Sequence, residues 1–227
     1  MEIVALANWQ NPQKRRLEAI RAAHERDFET LWGLTQAYLL LRGRRQAATS
    51  ANTVIQYGVS VRDYLLWCWP EGSAAPQQPI LSADRDDIAR YVAFLQGSGS
   101  SLKVGLDGQP HPLSPGSVAQ RVKGVKLLYK ALAWAGAAGL PEDLPRVSDP
   151  TPPEERRPAL PLALYKDLLR HLDTDDILDR RDRLAARLAG EAGLRIAEVV
   201  ALEVDGVLLG ERLLAFEGKG RRKRSVP

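Results

Sequence analysis

Gly193-Leu194-Arg195-Ile196-Ala197-Glu198, joined through residues 199–217 to Gly218-Lys219-Gly220-Arg221-Arg222-Lys223-Arg224-Ser225-Val226-Pro227, is the stretch on which the reading of this sequence turns. Arg195 opens a short helix, and Glu198, three residues on, shares its face. Val207-Leu208-Leu209, Gly210-Glu211 and the run from Arg212 to Glu217 read as strand, tight turn and strand. Lys219 then falls in the glycine-flanked turn of a basic hairpin. A planar guanidinium that stays charged at any working pH, with an ammonium at a hairpin tip, suits a phosphodiester held against a positive surface. By spacing alone, Arg195 with Glu198 is also an ordinary surface ion pair, worth little. The Gly-Lys-Gly hairpin that follows favours a site.

Working upstream, charge is placed rather than spread. The net charge is only +4, weak evidence by itself for nucleic acid. Residues 219–227 nevertheless hold five basic groups and no acid, and 117–130 carries Arg121, Lys123, Lys126 and Lys130 without one, while 151–218 holds ten basic residues against fourteen acidic. Two local basic surfaces on a near-neutral body fit a chain that touches phosphates at defined points.

Helical periodicity fills the first half. Asn11-Pro12 starts a long pattern to Arg42, with Leu17, Ile20, Phe28, Leu31, Leu34 and Tyr38 inward, a break near Arg26-Asp27 and a stop at Gly43. A second helix runs from the cap Ser50 to about Trp69, with Val54, Val61, Leu65 and Cys68 as its apolar stripe. A third starts at Ser82, its Asp84, Asp86 and Asp87 complementing the helix dipole, and ends at Gly97. After a Gly/Ser-rich loop, a fourth begins near Ser114-Pro115-Gly116-Ser117 and buries Val118, Val122, Val125, Leu128 and Leu132 up to Gly136. Gln120, Lys123 and Lys130 share its opposite face, with Ser117, Arg121 and Lys126 at the margins. That stripe either solubilises the helix or contacts phosphates, and its lack of a pairing acid favours contact. Early in the second helix, Thr53 and Gln56 are candidate base or phosphate contacts, and Thr53 is equally a candidate cap.

Seven prolines between Gly139 and Leu162 mark an extended interdomain linker. Beyond it come helical patterns near 163–172, 178–190 and 195–202. The expected organisation is an N-terminal arm or helix (1–27), a helical domain (28–140), the linker (141–162) and a second domain (163–227).

Composition excludes several classes. No apolar run approaches the roughly twenty residues of a membrane span, and Met-Glu-Ile-Val-Ala does not open like a secretory signal, so a cytoplasmic protein is expected. The single cysteine, Cys68, lies in an apolar helical stretch and reads as a buried thiol. His24, His111 and His171 have no metal-ligand spacing; no cofactor or metal is expected.

Arg181-Asp182-Arg183-Leu184 before Gly193-Leu194-Arg195-Ile196-Ala197-Glu198, then Gly218-Lys219-Gly220 and Arg224-Ser225-Val226-Pro227, resembles the tyrosine recombinases, the phage integrase family, and its Xer-like members. Ser50-Ala51-Asn52-Thr53 with Tyr57, and Ser114-Pro115-Gly116-Ser117 before a basic helix, are similar to that family's two groove-facing helices. The resemblance covers about residues 28–227. It implies a mainly α fold, with a four-helix SAM-like core-binding domain and then a truncated α+β catalytic-domain fragment bearing a small antiparallel β-sheet.

The family also implies site-specific DNA recombination and integration, with double-stranded DNA as partner and other recombinase subunits beside it. Arg195 and Lys219 would be catalytic, the lysine protonating the leaving hydroxyl, with Glu198 supporting the arginine. Thr53, Gln56, Ser117, Gln120, Arg121, Lys123, Lys126, Arg221, Arg222, Lys223 and Arg224 would bind DNA. The family's His-x-x-Arg box and nucleophilic tyrosine are not found: all six tyrosines precede Arg195. The expectation is therefore a DNA-binding portion of a recombinase that does not itself cut, or alternatively a naturally short noncatalytic DNA-binding protein at recombination sites. A helical protein-interaction domain without DNA is a third reading, which duplex binding that weakens steeply with salt would exclude. As a truncated portion, the C-terminal half is expected to expose apolar surface and to be unstable or self-associating.

Overall fold

The computed structural model describes residues 9–44, 46–100, 102, 108–148, 150–152, 155, 159–218 and 222–227, with Ala47 and Arg222 described by their backbone alone. Two compact units, 1–150 and 151–227, divide the chain. As expected, it is mainly helical, with a small antiparallel sheet in the second unit.

In the first unit, α1 (Pro12–His24), α2 (Phe28–Arg42), α3 (Ala51–Cys68), α4 (Arg85–Gly97) and α5 (Pro115–Ala135) surround one core. Their ends follow the capping chemistry. Asn11 accepts from the amides of Gln13 and Lys14 at 2.9 and 3.1 Å with Pro12 behind it, Ser50 caps α3, and Ser114 caps α5. Gly136 closes α5 in the left-handed conformation, φ 70°. The break near Arg26-Asp27 is present: Arg26 turns left-handed (φ 57°) and Asp27 recaps the chain by accepting from the Thr30 amide at 3.0 Å.

Two expectations are corrected. Leu17 does not face inward; it is 69% exposed, and α1 packs instead through Ala19, Ala22 and Ala23. Small side chains let α1 lie close to α2 and α5, so its contact face is alanine rather than the larger apolar residues. Arg15 helps to hold it, its guanidinium 3.9 Å from the Trp134 ring centre and donating to the Trp9 and Trp134 carbonyls at 3.0 Å. The third helix begins at Arg85 rather than Ser82. Ile80–Ser82 form a 3-10 turn, and Asp84 is the cap, accepting from the Asp86 and Asp87 amides while Asp87 accepts from the Asp84 amide at 2.9 Å.

The core is centred on α5, packed against α3 and α2, with α4 joining it through Tyr91. Tyr64, Tyr91 and Tyr129 are fully buried and meet edge to face around Tyr64. Tyr129 donates to the Ile80 carbonyl at 3.0 Å, so Tyr64 donates to Tyr129 at 2.8 Å, and both hydroxyls are satisfied. Cys68 is buried beside them, and burial pushes its thiol up to about 12. α3 and α5 approach closely at Gly124: a Cβ there would lie 2.2 Å from the Ser60 Cβ. No helix among the described residues is long and apolar enough to cross a membrane.

In the second unit, α6 (Leu162–His171), α7 (Ile177–Gly190) and α8 (Ile196–Val200) precede strands β1 (Val207–Leu208), β2 (Leu213–Gly218) and β3 (Arg222–Val226), paired antiparallel in the order β1-β2-β3. Little of it is buried. Leu194 and Phe216 are the buried apolar side chains among the described residues here. Neither α6 nor α7 has a buried residue, and Leu162, Leu164, Ile177 and Leu184 are each more than half exposed. Tyr165 packs its ring on Gly190, where a Cβ would come within 2.9 Å.

Candidate functional site

The residues singled out in the sequence fall into two groups, one in each unit. In the first unit they lie along the N-terminal halves of α3 and α5. Ser60 joins the two helices, donating to the Gln56 carbonyl at 2.7 Å and reaching the Gln120 carbonyl at 3.4 Å. Because glycine at 124 removes the side chain that would separate them, the backbones carrying Gln56 and Gln120 are brought to one seam.

Around that seam, Gln56 is exposed, and Ser117 and Gln120 are half-buried. Thr53 is half-buried, its hydroxyl 2.8 Å from that of Ser50. Ser50 is the cap, since its hydroxyl accepts from the Thr53 amide at 3.4 Å, so Thr53 occupies the first turn rather than the capping position. Lys123, Lys126 and Lys130 stand exposed along α5, and among the described residues none forms an ion pair.

Arg121 differs from its neighbours. Read as a phosphate contact at the margin of this face, its side chain is only 12% exposed and its Nε donates to Asp63 Oδ2 at 2.8 Å. Asp63, on α3, is completely buried and also accepts from the Tyr91 hydroxyl at 3.3 Å, while its Oδ1 has no partner among the described residues. The pairing spans 58 positions, so no local spacing announced it. The one sequence hint was that Asp63 is the single acid in α3.

In the second unit, Arg195 is the N-terminal cap of α8, in extended conformation. Glu198 folds back one turn, accepting from the Arg195 amide at 2.8 Å and from its Nη1 at 2.9 Å. The carboxylate is 5% exposed, yet the arginine side chain is 64% exposed. The bond from the Arg195 amide, more than the guanidinium itself, holds the Glu198 carboxyl below the usual carboxylate range.

Strand pairing supplies a second cation. Phe216 is buried opposite Arg224 across the β2–β3 ladder, and the Arg224 guanidinium lies 5.5 Å from its ring centre. From there Arg224 Nη1 lies 3.8 Å from the same Glu198 Oε1 that Arg195 binds. The sequence offered Arg224 only as one charge in a basic run. Its convergence with Arg195 depends on the hairpin register, with Gly218 opposite Arg222 and Glu217 opposite Lys223. Lys223 is exposed. Lys219 and Arg221 lie outside the described residues, as does the side chain of Arg222. Among the described residues no cluster of three His, Cys, Asp or Glu is arranged to hold a metal.

No family model matches the chain. Individual relatives do. Tyrosine recombinase XerC of Pseudomonas putida is 30% identical over 191 residues, 82% of this chain and 56% of its own length. Tyrosine recombinase XerD of Corynebacterium glutamicum is 30% identical over 184 residues, covering 78% and 55%. Tyrosine recombinase XerC of Chromobacterium violaceum reaches 35% over 119 residues, covering 51% and 38%. The chain thus spans about half the length of the relatives it matches. A solved structure of XerA recombinase aligns with 88% of this chain and 59% of its own, at 22% identity and a TM-score of 0.35.

Proposed function

This chain is a relative of the tyrosine recombinases, and from that premise we propose that its 227 residues bind duplex DNA as part of a site-specific recombinase. The observation that carries the proposal is that Lys123, Lys126 and Lys130 stand exposed along α5, without ion-pair partners among the described residues, on the helix that Ser60 joins to α3. A solvated helix face ordinarily interleaves both signs of charge. Exposed cations on a helix that also carries amide and hydroxyl side chains are the composition of a surface that meets phosphates and base edges together. We assign backbone contact to Lys123 and Lys126, and groove contact to Thr53, Gln56, Ser117 and Gln120.

In the second unit, Arg195 would meet the scissile phosphodiester, with Glu198 holding its guanidinium in one orientation and Arg224 adding a second cation nearby. Lys219, Arg221, Arg222 and Lys223 would complete the positive hairpin. We assign these residues binding and orientation of the phosphate. Other recombinase subunits on the same DNA are the further partners proposed, in the cytoplasm.

The test is a duplex-binding titration across salt concentrations with wild type, Lys123→Ala, Lys126→Ala and Lys223→Ala. Wild-type affinity should fall steeply with salt, and each substitution should reduce the slope of log K against log salt by about 1, equally for every duplex sequence. A wild-type slope near zero would overturn the proposal.

A further inference from the structure

We propose that the buried Asp63–Arg121 pair is a positioning device: it sets the register of α5 against α3, and hence the spacing of their groove-facing side chains, while neither residue touches DNA. The inference rests on the DNA-binding role proposed above for these two helices.

The seam between the helices has two kinds of contact. At Gly124 and Ser60 the contact is steric, which fixes how close the helices lie, with one long bond from the Ser60 hydroxyl to the Gln120 carbonyl at 3.4 Å. Asp63 follows Ser60 by three residues and Arg121 follows Gln120 by one, so the ion pair continues that same seam. A guanidinium donating through Nε to one carboxylate oxygen at 2.8 Å is directional, and Tyr91 of α4 donates to that same oxygen. A slip of α5 by one residue would turn Gln120 and Lys123 by about 100° about the helix axis. It would also strand a fully buried carboxylate whose other oxygen already lacks a partner among the described residues. The slipped arrangement is therefore excluded by the cost of an uncompensated buried charge.

Stability alone does not account for the pair. A buried ion pair commonly gives no more stability than well-packed apolar residues of similar volume, and in some proteins what it adds is geometric specificity. The place where this one adds it is between the two helices that carry Gln56, Gln120, Lys123 and Lys126. Arg121 itself, at 12% exposure beside exposed lysines, is turned into the seam and not toward solvent.

The deciding variant is the double substitution Asp63→Leu with Arg121→Met, which leaves net charge unchanged and keeps the seam filled. Binding of a mixed-sequence duplex pool is measured across salt concentrations by the full chain, with circular dichroism confirming that each variant is folded at the assay temperature. The double variant should remain folded, keep the wild-type salt slope and bind about tenfold more weakly, roughly the loss of one good groove contact. Arg121→Lys, which preserves the charge that DNA meets but not the planar donor, should lose a similar factor.

Wild-type affinity in the folded double variant would make the pair purely structural and overturn the inference. A salt slope lower by about 1 would make Arg121 a phosphate ligand and overturn it equally. Asp63→Asn gives a test of sign: removing an acid near a DNA surface should tighten binding if charge alone matters, and weaken it if register matters. These outcomes leave the DNA-binding proposal standing. A wild-type chain that binds no duplex overturns both.

Discussion

Each unit of this molecule contains an arginine held by a buried carboxylate, and the two pairs differ. Asp63 is wholly buried and Glu198 nearly so, at 5% exposure. The arginines part company: Arg121 is 12% exposed, Arg195 64%. An acid that has lost water needs donors in both places, but Glu198 draws one of its two from the Arg195 backbone amide, which no side-chain substitution removes, whereas Asp63 has only the Arg121 and Tyr91 side chains. What also differs is where the rest of the guanidinium is spent. Arg121 crosses from one helix to another and is consumed by packing, whereas Arg195 binds within its own turn and presents its free edge to solvent. The same residue pair thus serves as a structural tie across long sequence separation and as an oriented ligand group at short separation.

Removing the cation should separate the two cases most sharply. Arg121→Ala leaves Asp63 buried with only the Tyr91 hydroxyl as partner, and should destabilise the first unit by about 3–5 kcal/mol in denaturant unfolding. Arg195→Ala strips an exposed side chain and should leave global unfolding within about 0.5 kcal/mol of wild type while weakening DNA binding. Comparable losses from both substitutions would dissolve the distinction.

A smaller effect isolates the steric half of the α3–α5 seam. Gly124→Ala places a Cβ 2.2 Å from that of Ser60, so the helices must part. Overpacking of this kind costs about 1–3 kcal/mol, offset in part by the roughly 1 kcal/mol that alanine gains over glycine in a helix. Ser60→Gly together with Gly124→Ala should restore the spacing, and unfolding midpoints of the single and double variants measure the coupling. No restoration would mean that the seam is not set at this contact.

How far these features were visible in the sequence follows from how local they are. Ser50, Ser114, Gly43 and Gly136 each act within one helical turn, so the ends of α2, α3 and α5 were legible from caps and terminators. Arg195 with Glu198 was legible for the same reason, at a separation of three. Asp63 with Arg121 was not, since nothing in either helix specifies which face meets its neighbour until the chain has packed. Leu17 misled because the larger apolar residue suggested the inward face, and α1 used alanines for close approach. Asp84 prevailed over Ser82 as the start of α4 because only Asp84 satisfies two amides while Asp87 answers back. Arg224 reaches Glu198 only because β2 and β3 pair with Phe216 opposite it.

The mildest test concerns pH at the Glu198 clasp. The carboxyl is held below its ordinary value, first by the Arg195 amide and then by the Arg195 guanidinium. A carboxyl whose folded value is depressed contributes its full stabilisation above the unfolded value, and that contribution is lost as pH falls through the folded one. From neutral pH down to the ordinary glutamate range the clasp should therefore hold, and Arg195 should keep its orientation. Below that range Glu198 takes up a proton, the charge-assisted bonds weaken, and amide exchange at Arg195 should rise relative to neighbours in α7, after correction for the intrinsic pH dependence of exchange. Glu198→Gln should show the faster exchange already at neutral pH, with no further rise on acidification. The effect is confined to one turn, because α8 contributes little to burial elsewhere in its unit. Protection at Arg195 that follows acidification identically in wild type and Glu198→Gln would show that the carboxylate does not hold this arginine, and the contrast with the buried pair in the first unit would then rest on exposure alone.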